Sequence, residues 1–142
     1  MAIAATPAVV WRILCDFPRY PAWNPFIVSV DGRAEPGQRL RARMQLAPEG
    51  RMWRFAPRIT HLQPERELCW RGRLVLPGLF DGHHCFHLEP APGGGTRLLQ
   101  REEFSGLLVR WLPASLYEAT RRAFEQMNEA LKQRAERGAR QP

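Results

Sequence analysis

The C-terminal part of the chain carries one long helical pattern. Apolar side chains recur there at spacings of three and four, which places them on a single stripe, while charged side chains fill the opposite side. Pro113 suits a first helical turn and Gly138 suits a C-terminal stop. We therefore predict one amphipathic helix over residues 113–137 that covers a sheet. The same stripe is also compatible with one wall of a cavity, which the strands must decide. The stripe consists of Leu112, Leu116, Thr120, Phe124, Met127 and Leu131.

The N-terminal segment shows a shorter helical pattern. Thr6 followed by Pro7 is typical of an N-cap and a first helical residue, so we predict a helix over residues 7–16. A second short helical turn is predicted over residues 21–24. Because so few residues precede Thr6, any first strand is very short.

The middle of the chain alternates apolar and polar positions, as strands do. Glycine- or proline-containing turns of hairpin length separate these segments, which favours an antiparallel meander. One long helix must cover the apolar face, so the predicted fold class is α+β, with six or seven strands wrapped around the helix. The predicted strands span residues 26–30, 38–46, 52–62 (with Pro57 at a bulge or an edge), 68–76, 83–88 and 97–104.

Composition limits the classes of protein that need to be considered. The length of 142 residues predicts a single domain over residues 1–138, followed by a basic tail over residues 139–142. No apolar run is long enough for a membrane span, and no secretory signal is visible. The net charge of +7 comes from scattered basic residues without a nucleic-acid-binding motif. We therefore predict a solvated basic surface and no nucleic-acid partner.

The cysteines predict a reducing environment. Cys15, Cys69 and Cys85 are odd in number and widely spaced along the chain. This pattern argues against a disulfide framework and favours reduced thiols in a cytoplasmic protein.

Taken together and in order, several segments resemble the polyketide cyclase/dehydrase-like branch of the START and Bet v 1-like superfamily. The resemblance covers nearly the whole chain. It departs from the family in its very short first strand. The segments that carry it are residues 5–7 with Val10, Trp11 and Leu14, then residues 16–17, 20–21, 23–26, 68–72, 77–86, 96–97, 102–106 and 127–132.

The resemblance implies a helix-grip fold, in which a curved antiparallel sheet encloses an apolar cavity beneath the long helix, with two short N-terminal helices. It implies no single chemistry, because members include lipid carriers, hormone receptors and aromatase/cyclases. No cofactor is implied. The oligomeric state stays open.

Two polar residues stand out among the positions that face the predicted interior. Parity along the last strand puts Glu102 on the same face as Phe104, and His84 on the neighbouring strand is the candidate partner for its carboxylate. We predict that the two side chains lie within hydrogen-bonding reach. Such a pair either performs acid–base catalysis or orients a ligand.

Three functional hypotheses follow, and the sequence leaves all three open. The first is a binding protein for a small apolar or aromatic ligand; the second is a cyclase or dehydratase that uses His84 and Glu102. The third is an interaction module, whose apolar loops touch a protein or, transiently, a membrane. The predicted ligand-binding residues are Met44, Phe55, Trp70, Phe80, Phe86, Gln100, Phe104, Leu116, Thr120 and Phe124.

The loops at one end of the predicted meander are unusually apolar. Because strand ends alternate, the loops around residues 47–52, 77–82 and 105–112 meet at the same end. They either cap the core or gate the entry of a ligand. Their apolar residues are Met52, Leu79, Phe80, Leu107, Leu108, Val109 and Trp111.

Other chemistries find less support. His83, Cys85 and His87 share one strand face, but that face is the outer one, so we interpret them as solvent-facing and predict no metal site. The serines lack a nucleophile motif, and the glycine run of residues 93–95 lacks the lysine of a phosphate-binding loop.

Overall fold

The structure is a computed structural model, and it describes residues 1–47, 49–73, 81–111 and 113–139. Within these residues there are eight strands, two α-helices and two short 3₁₀ segments. In chain order they are β1 (Ala2–Ile3), α1 (Pro7–Cys15), a 3₁₀ segment (Phe17–Ala22), β2 (Ile27–Asp31), β3 (Arg41–Gln45), β4 (Met52–Phe55), β5 (Arg58–Gln63), β6 (Glu67–Arg73), β7 (Asp81–Ala91), β8 (Gly95–Ser105), a 3₁₀ segment (Val109–Trp111) and α2 (Ala114–Ala139).

The strands form two antiparallel sheets. The larger sheet has the order β1-β8-β7-β6-β5, and the smaller one has the order β2-β3-β4. The prediction of one strand over residues 52–62 was wrong, because β4 and β5 belong to different sheets. The chain passes from one sheet to the other at Pro57, which has no N–H to donate to a strand ladder. Its carbonyl instead accepts a hydrogen bond from Leu40 N–H at 2.7 Å.

The N-terminal helices begin close to the predicted positions. The Thr6 side chain caps α1 by accepting a hydrogen bond from Val9 N–H at 3.4 Å. The second helical segment begins at Phe17 rather than at residue 21. Within it the buried Tyr20 hydroxyl donates to the Leu14 carbonyl at 2.8 Å, which ties the segment to α1.

The helix α2 changes character along its length. Its C-terminal half buries Ala123, Met127, Leu131 and Ala135 in the core, whereas the stripe residues of its N-terminal half are only partly buried. This difference arises because the N-terminal half faces a cavity. The helix also continues through Gly138 to Ala139, so the predicted stop at Gly138 was wrong; Leu112 lies outside the described residues.

The predicted fold class is confirmed: this is an α+β fold with antiparallel strands and a long C-terminal helix. The described strands number eight rather than six or seven, since β1 is present as a two-residue strand and the segment over residues 52–62 is divided. Asp81 and Gly82, which were predicted to be in a loop, begin β7.

The expectation of three reduced cysteines was wrong. Cys69 and Cys85 form a disulfide, and Cys15 is free. The pair is distant in sequence, but the antiparallel register of β6 and β7 places the two residues directly opposite each other, with their Cα atoms 4.1 Å apart. The spacing of the cysteines could not reveal this disulfide, because its formation depends on which strands pair and in which register.

The described helices include none that is both long and apolar enough to cross a membrane. The cytoplasmic location expected from the sequence stays a prediction.

We expect Cys15 to be nearly inert towards alkylation in the folded protein. Burial raises the pKa of its thiol to about 12, and only the thiolate is nucleophilic. Iodoacetamide at pH 8 should therefore label Cys15 at least about a hundredfold more slowly in the native protein than in urea. The rate should rise as the pH approaches the raised pKa. Mass spectrometry of the labelled protein measures both rates, and equal native and denatured rates would contradict the burial.

Candidate functional site

A cavity of about 240 Å³ lies between the two sheets and the N-terminal half of α2. Its wall is mostly apolar and comes from both sheets and the helix. It is lined by Phe26, Ile27, Met44, Leu46, Trp53, Phe55, Trp70, Gly72, Arg73, Gly82, His84, Glu102, Phe104, Leu108, Leu116, Thr120 and Phe124. Several of these residues lie at strand ends next to the apolar loops, so the cavity lies towards that end of the fold.

Two glycines keep part of the cavity free of side chains. Gly72 on β6 and Gly82 on β7 are directly opposite each other in the ladder and both line the cavity. A Cβ atom on Gly82 would lie 2.9 Å from Glu102 Oε1, and one on Gly72 would lie 3.2 Å from Phe55 Cδ2. The absence of side chains at these positions therefore gives both Glu102 and Phe55 their space.

The polar centre of the cavity wall is a hydrogen-bonded pair. His84 on β7 and Glu102 on β8 are opposite in the strand register, and His84 Nδ1 lies 2.6 Å from Glu102 Oε2. The His84 side chain is almost fully buried, at 4% exposure, whereas that of Glu102 is 18% exposed. His84 Nδ1–H therefore donates to a carboxylate whose other oxygen, Oε1, lies beside Gly82.

Gln100 completes the network on the far side of the imidazole. Its Nε2 lies 3.1 Å from His84 Nε2 and 4.0 Å from Met127 Sδ. An amide group offers both a donor and an acceptor, so Gln100 can satisfy either a bare or a protonated His84 Nε2. The His84 ring is thus held at both nitrogens.

Aromatic rings fix the plane of the His84 imidazole. Trp70 and Phe124 stack on it with centroid distances of 5.4 and 4.8 Å, and Phe86 meets it edge-on at 4.5 Å. Such a cage restricts rotation of the imidazole and keeps Nδ1 directed at Glu102. The arrangement can present one hydrogen-bonding group at a defined point of an apolar space.

The structure places most of the predicted site residues around this cavity. Met44, Phe55, Trp70, Phe104, Leu116, Thr120 and Phe124 line it together with His84 and Glu102. Phe86 does not line it; it is completely buried behind His84. Gln100 contacts His84 but also lies outside the lining, and Phe80 is outside the described residues. Binding by these residues stays a prediction.

Sequence reasoning missed other lining residues, although some signals were present. Trp53 has the same parity as Phe55, and Gly72 has the same parity as Trp70. Leu46 continues the inward alternation of Met44. Phe26 and Ile27 carried no comparable signal, because a register irregularity between Ile27 and Ser29 interrupts the pairing of β2 with β3.

One apolar loop residue lines the cavity, and several others are exposed. Leu108 lines it and is 42% exposed, while Leu107 and Trp111 are 72% and 73% exposed. Met52 is exposed and Val109 is half-buried. Leu79 lies outside the described residues. Gating of the cavity and contact with a partner by these loops stay predictions.

The outer face of the larger sheet carries the remaining histidines. His83 and His87 are half-buried rather than freely exposed, and each contacts a polar neighbour. Neither belongs to the cavity, because the alternation of β7 turns them away from His84.

The antiparallel sheets, the long helix and the apolar cavity between them define the START and Bet v 1-like helix-grip class. The chain belongs to the family described as polyketide cyclase/dehydrase and lipid transport, whose model matches residues 1–136. No curated protein matches the sequence significantly.

Solved structures agree on the fold at low sequence identity. A START superfamily protein from Mycobacterium smegmatis is 19% identical, with a TM-score of 0.73 over 96% of this chain and 94% of that one. Ara h 8.0201 is 15% identical, with a TM-score of 0.73 over 95% of this chain and 93% of that one. The di-domain ARO/CYC StfQ from the steffimycin biosynthetic pathway is 13% identical, with a TM-score of 0.74 over 98% of this chain and 49% of that one.

Proposed function

We propose that this protein binds a small apolar, preferably aromatic, ligand that carries one hydrogen-bond donor. The observation behind the proposal is the largely apolar cavity with the hydrogen-bonded pair His84 and Glu102 in its wall. An ionised carboxylate accepts hydrogen bonds only, and one oxygen of Glu102 already accepts from His84. The other oxygen is the natural partner for a ligand hydroxyl or N–H.

The rest of the wall supports an apolar ligand body. Aromatic rings reach the same space from three strands and the helix, namely those of Trp53, Phe55, Trp70, Phe104 and Phe124. Aromatic rings pack well against other rings in edge-on or offset geometry. Thr120 adds little polarity, because its hydroxyl donates to the Leu116 carbonyl at 2.8 Å.

An enzymatic role is the second candidate, and the same pair is the observation that favours it. Glu102 would act as a general base towards a bound hydroxyl or an acidic C–H, with His84 positioning the carboxylate. The likeness in fold to an ARO/CYC protein is compatible with this role. Because Gln100 and the aromatic cage enclose the rest of His84, Glu102 is the group that would contact the substrate.

An interaction role is the third candidate, and the exposed Leu107 and Trp111 favour it. Liposome co-sedimentation would separate it from the first two. Loss of liposome binding when both residues are replaced by serine would support transient membrane contact. Liposome binding that persists in this variant would show that the two residues do not make the contact.

The proposal is tested with two ligands that differ by one hydroxyl group. Isothermal titration with 2-naphthol and naphthalene compares the same ring system with and without a hydrogen-bond donor. We expect 2-naphthol to bind at least about tenfold more tightly, because a hydrogen bond to a charged group contributes about 1.5–3 kcal/mol. Native mass spectrometry of the purified protein would reveal any ligand retained from the host. Failure to bind either compound would count against the cavity as a binding site for ligands of this class.

Replacing Glu102 with glutamine should remove this preference. The shape stays nearly the same while the charge is lost, so we expect 2-naphthol affinity to fall about 5- to 20-fold and naphthalene affinity to stay unchanged. If the protein is an enzyme, the same variant should lose turnover but keep naphthalene binding. The matched control is Glu103→Gln, which removes the same charge from the exposed face of the same strand. Equal losses for both compounds would contradict a donor-specific role.

A further inference from the structure

The outer face of the larger sheet gathers chemistry that the cavity does not use. Cys69, His83 and Cys85 lie there with their ligand atoms all within 4.8 Å of one another. The register of β6 and β7 brings them together, since Cys69 is opposite Cys85 and His83 is two residues before Cys85. Three of the four histidines in the chain are on this face, with His61 and His87 beside Glu67.

We propose that the Cys69–Cys85 disulfide is reversible and that its reduced form, together with His83, binds a zinc ion. Two thiolates and one imidazole are a typical zinc ligand set, and three protein ligands leave a fourth position for water. Around a tetrahedral zinc ion the donor atoms are about 3.5–3.8 Å apart, given Zn–S and Zn–N bonds of about 2.3 and 2.0 Å. The observed cluster already approaches that spacing, with His83 Nε2 3.9 Å from Cys85 Sγ.

The side chains around the cluster favour such a site. Thr60 Oγ1 lies 3.0 Å from His83 Nε2, the nitrogen that is next to Cys85, so zinc binding would replace this hydrogen bond. Glu67 Oε1 lies 3.5 Å from Cys69 Sγ, which places a negative charge beside the ion. His61 and His87 each contact the Glu67 carboxylate at 3.0 Å and fix its position. Outer groups of this kind orient ligands and tune affinity.

The redox step balances without any group from the cavity. The disulfide takes up two electrons and two protons to give two thiols, while a dithiol reductant is oxidised to its own disulfide. Zinc then displaces both thiol protons and binds the thiolates. Oxidation therefore closes the site and reduction opens it.

Cobalt(II), a spectroscopic substitute for zinc, tests the proposal in the full chain. The Cys15→Ser variant leaves only the paired cysteines and is used as the reference protein. After reduction by a phosphine and removal of the phosphine, it should bind one equivalent of Co²⁺. A thiolate-to-cobalt charge-transfer band and strong visible bands should appear, and Zn²⁺ should abolish them. The oxidised protein should show neither band.

Two variants decide whether the site is the proposed one. His83→Ala, in the same reference protein, should weaken Co²⁺ binding at least about tenfold because it removes a ligand. Leu99→Ala, on the same sheet face but outside the proposed site, should change it less than about threefold. Circular dichroism checks that both variants are folded. Unchanged affinity in the His83 variant would overturn the assignment, as would a reduced protein that shows no thiolate-to-cobalt band. If the phosphine leaves Cys69 and Cys85 unavailable to alkylation in urea, the disulfide is not reversible and the proposal fails.

Discussion

Replacing Phe86 with alanine is expected to lower the free energy of unfolding by about 3–5 kcal/mol. The ring is completely buried and meets Trp70 edge-on at 5.6 Å and His84 at 4.5 Å. Truncation removes its apolar burial and leaves a void that the paired strands of a sheet interior can close only in part. Urea unfolding followed by tryptophan fluorescence measures the change.

The control for this prediction is Leu99→Ala on the neighbouring strand. Leu99 is half exposed on the outer face, so the same kind of truncation should alter stability by no more than about 0.5 kcal/mol. A Phe86→Ala variant that unfolds at the wild-type urea concentration would mean that the ring is not part of the packed core.

The second large effect is expected from filling the cavity. Gly72→Leu adds a branched side chain to a wall position where even a Cβ lies 3.2 Å from the Phe55 ring. We expect the affinity for naphthalene and 2-naphthol to fall by about 10- to 70-fold, because losing about 60–100 Å² of ligand burial costs about 1.5–2.5 kcal/mol. Isothermal titration with both compounds provides the measurement.

The matched control uses the same substitution outside the cavity. Gly138 is exposed near the end of α2, and nothing lies within 4 Å of an added Cβ there. Gly138→Leu should therefore leave both affinities unchanged. If Gly72→Leu also has no effect while the protein remains folded, the compounds bind elsewhere, and the cavity would lose its assigned role.

These two predictions distinguish an aromatic residue that stabilises the core from the aromatic residues that line the cavity. Phe86 lies behind His84 and supports its position, whereas Phe55 and Trp70 line the space in front of it. Loss of Phe86 should therefore reduce stability first. A larger side chain at Gly72 should reduce ligand affinity with a smaller effect on stability.

The sequence by itself determined the class of fold and the inner face of most strands. Alternation along residues 38–46 distinguished buried Leu40 and Ala42 from the exposed Arg39, Arg41 and Arg43, because side chains of a strand alternate between faces. The 3.6-residue period identified α2, and the order of motifs indicated the family that the model match confirms. The period of the apolar residues shows which face of a strand or helix is buried, and this is what the sequence patterns record.

Parity also brought His84 and Glu102 onto the inner faces of their strands and predicted that they pair, but it did not give the register that sets their distance or the other partners of His84. The pairing at 2.6 Å, the contact of Gln100 with the second nitrogen and the aromatic cage all depend on register between strands. A shift of register by two residues would keep every side chain on its face and still separate the pair.

Only the tertiary structure decided which distant residues meet. It joined Cys69 to Cys85 against the expectation from spacing, and it divided residues 52–62 between two sheets at Pro57. It also placed Gly72 opposite Gly82, where the missing side chains make part of the cavity. The physical reason is common to all three: periodicity is a local property of the chain, whereas register and enclosed volume arise only when several segments pack together.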